Sequence, residues 1–244
     1  MLEQLPQSSA FRHKVGVLAN LIAEHLGAPS RMLVLGCGSG VEAAELATQF
    51  GSEVFGIDLL SHFDAAAARV AKLRRGDATD LDFPDAFFDQ VYSYHALEHI
   101  PDYRGALGEM RRVLRPGGGY CIGTPNRSRL IGYIGSTNAS LRNKIGWNLN
   151  DWKCRLRGRF RNEFGAHAGF TKTELSSELR SVFGEVEDIT LAYYTRVYSG
   201  HARAVRGMSR LGLAPFLFPS IYFVGTLRPS VSVAPESSVD LSSR

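Results

Sequence analysis

A glycine-rich segment directly after an apolar stretch most constrains what this chain can fold into. Residues 32–35 are apolar and predict a buried strand, and residues 36–40 then carry glycine at every second position. Glycine adopts positive φ and lets the backbone approach a ligand closely. The helical pattern that begins at Val41 places unpaired N–H groups at the same turn. The segment therefore predicts a strand–turn–helix unit that binds a nucleotide-like cofactor.

The spacing of these glycines separates two classes of cofactor-binding protein. Gly36, Gly38 and Gly40 follow the pattern G-x-G-x-G. The dinucleotide fingerprint G-x-G-x-x-G would place its third glycine at position 41, which is valine here. A dinucleotide-dependent oxidoreductase is therefore the less favoured alternative.

Two acidic residues follow predicted strands at positions suited to a nucleoside. Residues 53–58 predict a second strand that ends at Asp58. This acid lies about 20 residues beyond the glycines, where a carboxylate accepts hydrogen bonds from ribose hydroxyls. Asp77 follows a short third strand and can accept a hydrogen bond from an exocyclic adenine amine. The two acids therefore predict the ribose and adenine ends of the site.

Strands and helices continue to alternate along the chain. Residues 88–100 predict a fourth strand with its following loop, 103–114 an amphipathic helix and 120–123 a fifth strand. A capping box at 171–174 predicts a helix over 172–183. Residues 186–194 and 221–227 predict a sixth and a seventh strand, which we expect to pair as an antiparallel edge. This alternation predicts an α/β fold.

The motifs together resemble those of the class I S-adenosylmethionine-dependent methyltransferases. They are most similar to the small-molecule group that includes ubiquinone-biosynthesis-like enzymes, methyltransferase type 11, and the resemblance covers about residues 30–125. It implies a Rossmann-like, doubly wound, mostly parallel seven-stranded sheet with an antiparallel last strand and an inserted cap. It also implies S-adenosylmethionine as cofactor and S-adenosylhomocysteine as product. The residues that carry it are 34–40, Asp58, 76–78, 96–100 and 114–118.

The resemblance also implies a role for individual residues. The glycine loop would lie under the methionine moiety and the ribose, Asp58 would bind the ribose hydroxyls, and Asp77 would accept from the adenine amine. The backbone of Ala78 would contact the adenine ring, and Tyr94 with His95 would line the methyl-donor end. The implied cofactor-binding residues are Gly36, Cys37, Gly38, Gly40, Asp58, Leu59, Asp77, Ala78 and Tyr94.

Histidines are the candidate catalytic residues. Methyl transfer from a sulfonium is an in-line displacement, so the protein mainly positions the acceptor and excludes water. A base is needed only where the acceptor loses a proton. His95 is the first candidate, His99 the second and His167 the third, and each has a purely structural role as its alternative. No Asn/Asp-Pro-Pro-Tyr/Phe motif follows the fourth strand, so oxygen is the preferred acceptor atom.

The chain divides into one main domain with additions. Apolar residues at helical spacing from Phe11 to Leu26 predict an N-terminal helix, and we expect residues 1–29 to form a helical lid. The methyltransferase domain spans 30–228. It contains a basic cap insertion at 124–170 and a second insertion at 195–219. Residues 229–244 are rich in serine and predict a disordered tail.

Positive charge is concentrated in the cap insertion. Residues 129–161 hold eight Lys or Arg and one acid, although the whole chain has a net charge of only +4. Cations alternate with other residues from Lys153 to Arg161, and in an extended strand this alternation places five cations on one face. Arg155, Arg157 and Arg159 are therefore predicted to bind an anionic or amphipathic substrate. An anionic membrane surface and a merely solvated face are the alternatives.

Other partners are constrained by composition. The three cysteines form no C-x-x-C pair or Cys/His cluster, and no acidic cluster indicates magnesium, so no metal site is predicted. No signal sequence or spanning segment is evident, so we expect a cytoplasmic protein that is either free or peripheral at a membrane. A non-catalytic, cofactor-binding scaffold with a basic partner-binding cap and an RNA methyltransferase remain alternatives, although nucleic acid is disfavoured. The oligomeric state is not determined.

Overall fold

A single twisted sheet organises the protein. The computed structural model describes residues 9–133, 139–164 and 167–228, and the predicted tail at 229–244 lies outside this part of the chain. The strands are β1 (Arg31–Leu35), β2 (Glu53–Asp58), β3 (Lys72–Arg75), β4 (Phe88–Tyr94), β5 (Leu114–Pro125), β6 (Glu187–Asp188) and β7 (Ser220–Thr226). Their order is β3-β2-β1-β4-β5-β7-β6. The first five pair in parallel, and β7 is antiparallel to both β5 and β6. The predicted doubly wound fold is therefore confirmed.

Helices cover both faces of this sheet. Those described are α1 (Ser9–Leu26), α2 (Val41–Phe50), α3 (Tyr103–Val113), α4 (Leu141–Leu156), α5 (Lys172–Phe183), α6 (Thr190–Val197), α7 (Ala202–Arg210) and α8 (Ala214–Leu217). The capping box that predicts α5 is present, with Thr171 and Glu174 each accepting from the other's backbone N–H. No helix in the described part of the chain is long and apolar enough to span a membrane.

The two faces of the sheet form two hydrophobic cores. Met32 and Val34 of β1 belong to one core, while Leu33 and Leu35 belong to the other. Helices α1, α2 and α6 pack on the first face, and α3 and α5 pack on the second. Because both faces are covered, residues 32–35 of β1 are all apolar and do not alternate with polar residues. This explains why its pattern is so clear in the sequence.

The N-terminal helix packs against the sheet. Leu18, Leu21 and Ile22 of α1 are buried in the first core, and the helix contacts α2, α6 and β7. It is therefore an integral layer of the fold, and its predicted role as a lid stays a prediction. Lys14, in its N-terminal half, nevertheless reaches the wall of a cavity at the carboxyl ends of the strands.

The predicted sixth strand at 186–194 is largely wrong. Strand β6 contains two residues, and α6 begins at Thr190, whose backbone N–H donates to the Asp188 carboxylate at 2.9 Å. This local contact turns the chain into a helix. Helical spacing then places Tyr193 and Tyr194 in the core, and the Tyr193 ring lies 4.2 Å from that of Tyr222. The run of apolar and aromatic residues fits both periods, and packing selects the helix.

The predicted basic strand at 153–161 is also wrong. Ser140 caps the N-terminus of α4 by accepting from the Asn143 backbone N–H at 3.2 Å, and the helix continues to Leu156. Lys153 and Arg155 therefore lie on the last turn of a helix, while Arg157 and Arg159 lie beyond it. The five cations do not form one face of an extended strand, because the first two lie on α4 and the other three follow it.

A half-buried ionisable group lies in the first turn of α2. The Tyr92 hydroxyl of β4 donates to the Glu42 carboxylate at 2.5 Å. Desolvation raises the pKa of Glu42 to about 7, although this hydrogen bond opposes the rise. Ionisation of Glu42 is therefore harder in the folded protein than in the unfolded chain.

We predict that the wild-type protein loses stability as pH rises and Glu42 ionises, and that Glu42→Gln abolishes this loss. The raised folded-state pKa means that the native state holds an extra proton between about pH 4.5 and 7, so the free energy of unfolding falls across this window. At pH 8 the variant should be more stable than wild type by about 1–3 kcal/mol, with little difference at pH 5. Urea denaturation at both pH values measures this.

Glu45→Gln provides the matched control for this prediction. Glu45 lies on the same helix, and its carboxylate accepts from Gln49 at the surface. This variant should show the pH dependence of wild type. A gain for Glu42→Gln that is equal at pH 5 and pH 8 would contradict the role of Glu42 ionisation.

Candidate functional site

A cavity of about 580 Å³ opens at the carboxyl ends of β1 to β4. Its walls come from the ends of these strands and from the loops that follow them, which is where open α/β sheets bind ligands. Five of the predicted cofactor residues line it, together with two of the predicted histidines. These residues are Gly36, Asp58, Leu59, Asp77, Ala78, His95 and His99.

The glycine turn shapes the floor of this cavity. Gly36, Gly38 and Gly40 have φ values of 73°, 54° and 83°. A Cβ atom at Gly36 would lie 2.2 Å from the Cβ of Ala96, and one at Gly40 would lie 2.0 Å from a methyl carbon of Leu73. Side chains are therefore excluded at both positions by conformation and by space.

Asp58 braces the glycine turn from the end of β2. One carboxylate oxygen accepts from the Gly38 backbone N–H at 2.8 Å, and the other accepts from the Leu60 N–H at 3.0 Å. The same residue lines the cavity. Since a carboxylate oxygen has more than one acceptor position, Asp58 can hold the loop and still accept from a ribose hydroxyl.

Asp77 and Ala78 also line this cavity. Oδ1 of Asp77 accepts from both the backbone N–H and the hydroxyl of Thr79, each at 2.8 Å. These bonds lower the pKa of Asp77, so the group is an ionised acceptor at neutral pH. Its position agrees with the predicted contact to an adenine amine, which stays a prediction.

Several predicted cofactor residues do not line this cavity. Cys37 is buried, and desolvation raises the pKa of its thiol to about 12. Gly38 is bonded to Asp58, and Gly40 is the N-cap residue of α2. These three residues belong to the glycine turn itself but do not line the cavity. Tyr94 lies instead on a second cavity.

The second cavity has a volume of about 340 Å³ and adjoins the first at His95, which lines both. Most of its wall is aromatic, and β4, β7, α6 and the cap insertion all contribute. It is lined by Lys14, Tyr94, His95, Pro125, Arg129, Tyr133, His167, Tyr193, Tyr194, Val197, Tyr198, Pro219, Ser220 and Tyr222. A ligand here would lie next to the end of a cofactor bound in the first cavity.

His95 occupies the junction of the two cavities in a strained conformation. Its φ is 51°, which is unusual for a residue with a side chain, and its Nε2 lies 3.0 Å from the Ser220 hydroxyl oxygen. Desolvation, aided by the positive charge of Arg129 and by His167 and His99, lowers the pKa of His95 to about 3. The imidazole is therefore uncharged at neutral pH.

The other two predicted histidines lie beside this junction. The rings of His99 and His167 pack edge to face, with centroids 4.6 Å apart, although 68 positions separate them in the chain. Burial and the nearby His167 lower the pKa of His99. Glu98, directly before His99, is buried, and desolvation raises its pKa to about 7. The structure thus brings together all three candidate catalytic histidines.

The arginines of the cap insertion have roles that the sequence analysis does not predict. Arg129 is buried, pairs with Asp151 at 3.2 Å and donates to three backbone carbonyls. Arg155 donates to the carbonyls of Arg127 and Arg129 and stacks over the Phe160 ring at 3.9 Å. Arg155 thus has a structural role and lines neither cavity, and its predicted substrate contact stays a prediction.

Sequence reasoning missed most of the second cavity. Tyr193 and Tyr194 lie on α6 and Tyr198 is its C-cap residue, so all three come from a segment that was predicted as a strand and its following loop. Tyr222 is brought to the same wall by antiparallel pairing of β5 with β7. Arg129 lies in the basic segment and Glu98 in the loop after β4, but their burial follows only from tertiary packing.

These features define a class of protein. A parallel sheet of this order, with one antiparallel strand beside its edge, a glycine turn after β1 and acids after β2 and β3, forms the cofactor site of a class I methyltransferase. A family profile described as a methyltransferase domain matches residues 33–122.

Known proteins agree with this class. The chain is 36% identical over 112 residues to a sterol 24-C-methyltransferase of Eremothecium gossypii, a match that covers 41% of this chain and 30% of that protein. It is 36% identical over 107 residues to a 27-O-demethylrifamycin SV methyltransferase of Amycolatopsis mediterranei, with 40% and 39% covered. The matches thus span less than half the length of these curated relatives.

A solved structure shares the fold. Phosphoethanolamine N-methyltransferase 2 of Haemonchus contortus, in complex with S-adenosyl-L-methionine, superposes with a TM-score of 0.53 at 19% identity, covering 93% of this chain and 58% of that one. Residues 33–122 therefore carry a methyltransferase domain, as the motifs predict, and the predicted cofactor, S-adenosylmethionine, agrees with this match.

We predict that Asp58→Ala weakens binding of S-adenosylhomocysteine by roughly 10- to 150-fold, or about 1.5–3 kcal/mol. The substitution removes both the ribose acceptor and the brace on the Gly38 N–H. Isothermal titration calorimetry measures the affinity. Asp82→Ala, at an exposed carboxylate outside the cavity, is the control and should bind like wild type. Equal affinities for the two variants would refute the assignment of Asp58.

We also predict that Arg155 and its neighbours differ in their contribution to stability. Arg155→Ala leaves two carbonyls without this donor and should lower the free energy of unfolding by about 1–3 kcal/mol. Arg157→Ala with Arg159→Ala changes exposed side chains and should cost less than about 0.5 kcal/mol. Thermal or urea unfolding tests the difference, and the reverse order would refute the structural role of Arg155.

Proposed function

We propose that this chain transfers the methyl group of S-adenosylmethionine to an oxygen atom of a small amphipathic acceptor that carries an anionic or strongly polar group. One observation carries the proposal: His95 lines both cavities, so an acceptor in the aromatic cavity meets the donor end of the cofactor cavity directly. Proximity of this kind supplies much of the rate enhancement in a displacement reaction.

The chemistry of the second cavity supports an amphipathic acceptor. Its tyrosines offer flat apolar surface with hydroxyl groups at the edge, which suits a ring or an unsaturated chain that bears polar groups. Lys14 adds a positive charge whose pKa is lowered by burial and by Lys144. An anionic group of the acceptor would favour the charged form of Lys14. Two relatives are named for a sterol and for rifamycin SV, which are both small molecules.

Oxygen as the acceptor atom is supported by the groups at the junction. The uncharged His95 imidazole and the Ser220 hydroxyl can orient a hydroxyl group of the acceptor through hydrogen bonds. A histidine with so low a pKa is a weak base, so positioning is the more suitable role for His95. His99 and His167 remain the other candidates for proton acceptance. One relative is named for 27-O methylation.

An exposed apolar stripe on α4 supports contact with a membrane surface. The side chains recur at helical spacing, and Leu149 and Leu156 are 65% and 86% exposed. Arg142 and Lys153 flank the stripe, an arrangement typical of helices that lie in the interface of an anionic membrane. The α4 stripe consists of Leu141, Ile145, Leu149, Trp152 and Leu156. The same insertion supplies Arg129 and His167 to the acceptor cavity, so a lipid-soluble acceptor could enter from the membrane.

Methyl-labelled S-adenosylmethionine tests the proposed activity. The full chain is incubated with separate lipid, polar-metabolite, RNA and protein fractions, and Asp58→Ala is the matched control. We expect label in the lipid or small-metabolite fraction and its loss with the variant. Label in RNA would instead support the RNA methyltransferase alternative. Cofactor binding without label in any fraction would support the scaffold alternative.

We predict that Ile145→Ser with Leu149→Ser weakens binding to vesicles containing anionic lipid by roughly tenfold or more, because each substitution removes an apolar side chain from the interface. Vesicle co-sedimentation measures the binding. Asn143→Ser with Asn150→Ser changes exposed residues of the same helix outside the α4 stripe and should bind like wild type. Equal binding by both double variants would rule out docking through the stripe.

A further inference from the structure

Three potential metal ligands converge beside the junction of the two cavities. One ligand atom each from Glu98, His99 and His167 lies within 4.8 Å of the other two. The distance from Oε1 of Glu98 to Nε2 of His99 is 3.8 Å, which is too long for a hydrogen bond. Ligands bound at about 2.1 Å to one ion lie about 3–4 Å apart, so small side-chain shifts would bring all three into a common coordination sphere.

Glu98 supplies an independent sign that a ligand is required here. The residue is only 5% exposed, and neither carboxylate oxygen has a hydrogen-bond partner within the described residues. Buried carboxylates in proteins are paired, hydrogen-bonded or bound to metal. A cation held between Glu98 and the two histidines would satisfy both oxygens.

The donor set indicates which cations fit. Two imidazole nitrogens and one carboxylate are typical ligands of Zn²⁺, Mn²⁺ and Fe²⁺, whereas Mg²⁺ and Ca²⁺ prefer oxygen ligands alone. Three protein ligands leave at least one coordination position open. This is the arrangement of a site that binds a further molecule and not of a closed structural site.

The two histidines face the two cavities. His99 lines the cofactor cavity, and His167 lines the acceptor cavity. We propose that Glu98, His99 and His167 bind one divalent transition-metal ion at this junction, with an open position that takes the hydroxyl oxygen of the methyl acceptor. The second half of this proposal rests on the proposed function, whereas the metal site itself does not.

The surrounding charges are compatible with a cation. Arg129 is a buried positive group that acts on Glu98, but its guanidinium is paired with Asp151 at 3.2 Å. His95 is uncharged at neutral pH and lines the same two cavities. A dipositive ion would therefore meet one carboxylate and two imidazole rings, and the neighbouring arginine is already paired with an acid.

The experiment measures metal binding directly on the full chain without a polyhistidine tag. After treatment with a chelator, the protein is titrated with Zn²⁺, Mn²⁺ and Mg²⁺ by calorimetry, and Co²⁺ serves as an absorption probe of coordination. We expect one equivalent of Zn²⁺ or Mn²⁺ and much weaker binding of Mg²⁺. Glu98→Gln, His99→Ala and His167→Ala should each raise the Kd at least tenfold. His201→Ala, at an exposed histidine outside both cavities, is the control and should bind like wild type.

Cofactor affinity separates loss of the site from loss of the fold. Binding of S-adenosylhomocysteine should stay within about threefold of wild type in at least one of the three ligand variants, and circular dichroism should be unchanged. The proposal is overturned if wild type binds no stoichiometric metal, or if a folded ligand variant binds as wild type does. Equal affinity for Mg²⁺ and Zn²⁺ would overturn the assignment to transition metals.

Failure of the proposed function gives a different result. Stoichiometric metal binding without methyl transfer to any fraction would leave the site standing and refute the activity. Methyl transfer that persists after chelation, in protein that binds no metal, would support the proposed activity and refute the metal site. Where both hold, acceptor binding should change the absorption of bound Co²⁺.

Discussion

The contact between Gly36 and Ala96 is the constraint on which the functional part of the molecule depends. It brings the turn after β1 against the loop after β4, with no space for a side chain at position 36. In this position the Gly38 N–H of the turn donates a hydrogen bond to the Asp58 carboxylate. The loop after β4 places His95 at the edge of the cofactor cavity. Backbone packing at one point thus places the cofactor cavity beside the acceptor cavity.

The cap insertion is held by interactions that make its basic composition misleading. Arg129 and Arg155 donate hydrogen bonds to backbone carbonyls. Buried carbonyls outside helices and strands need such donors, because no neighbouring backbone N–H pairs with them. The planar arginine side chain suits this role because it offers several donors in a fixed geometry. The arginines of this segment therefore stabilise its interior, and they are not all available at the surface to bind a ligand. The apolar stripe of α4 is left on the outside.

The candidate site combines local and distant parts of the chain. Asp58 ends β2 and Asp77 follows β3, so their positions at the cavity are a direct consequence of parallel pairing. His167 reaches His99 only because the cap folds back over the end of β5, and Tyr222 arrives through an antiparallel strand. These contacts create the acceptor cavity and the cluster of Glu98 with two histidines. Neither has a motif of its own in the sequence.

The amino-acid sequence by itself determined the cofactor half of this protein. Glycine spacing, acids at strand ends and a capping box are local signals, because backbone conformation and short hydrogen bonds depend on near neighbours. The sixth strand and the basic strand were predicted wrongly, since apolar and charged runs at 186–194 and 153–161 fit more than one period. Only tertiary structure decided those periods, through burial of Tyr193 and Tyr194 and through the carbonyls that bind Arg155. The acceptor cavity and the metal ligands depend on contacts between residues far apart in the chain, and no local pattern encodes such contacts.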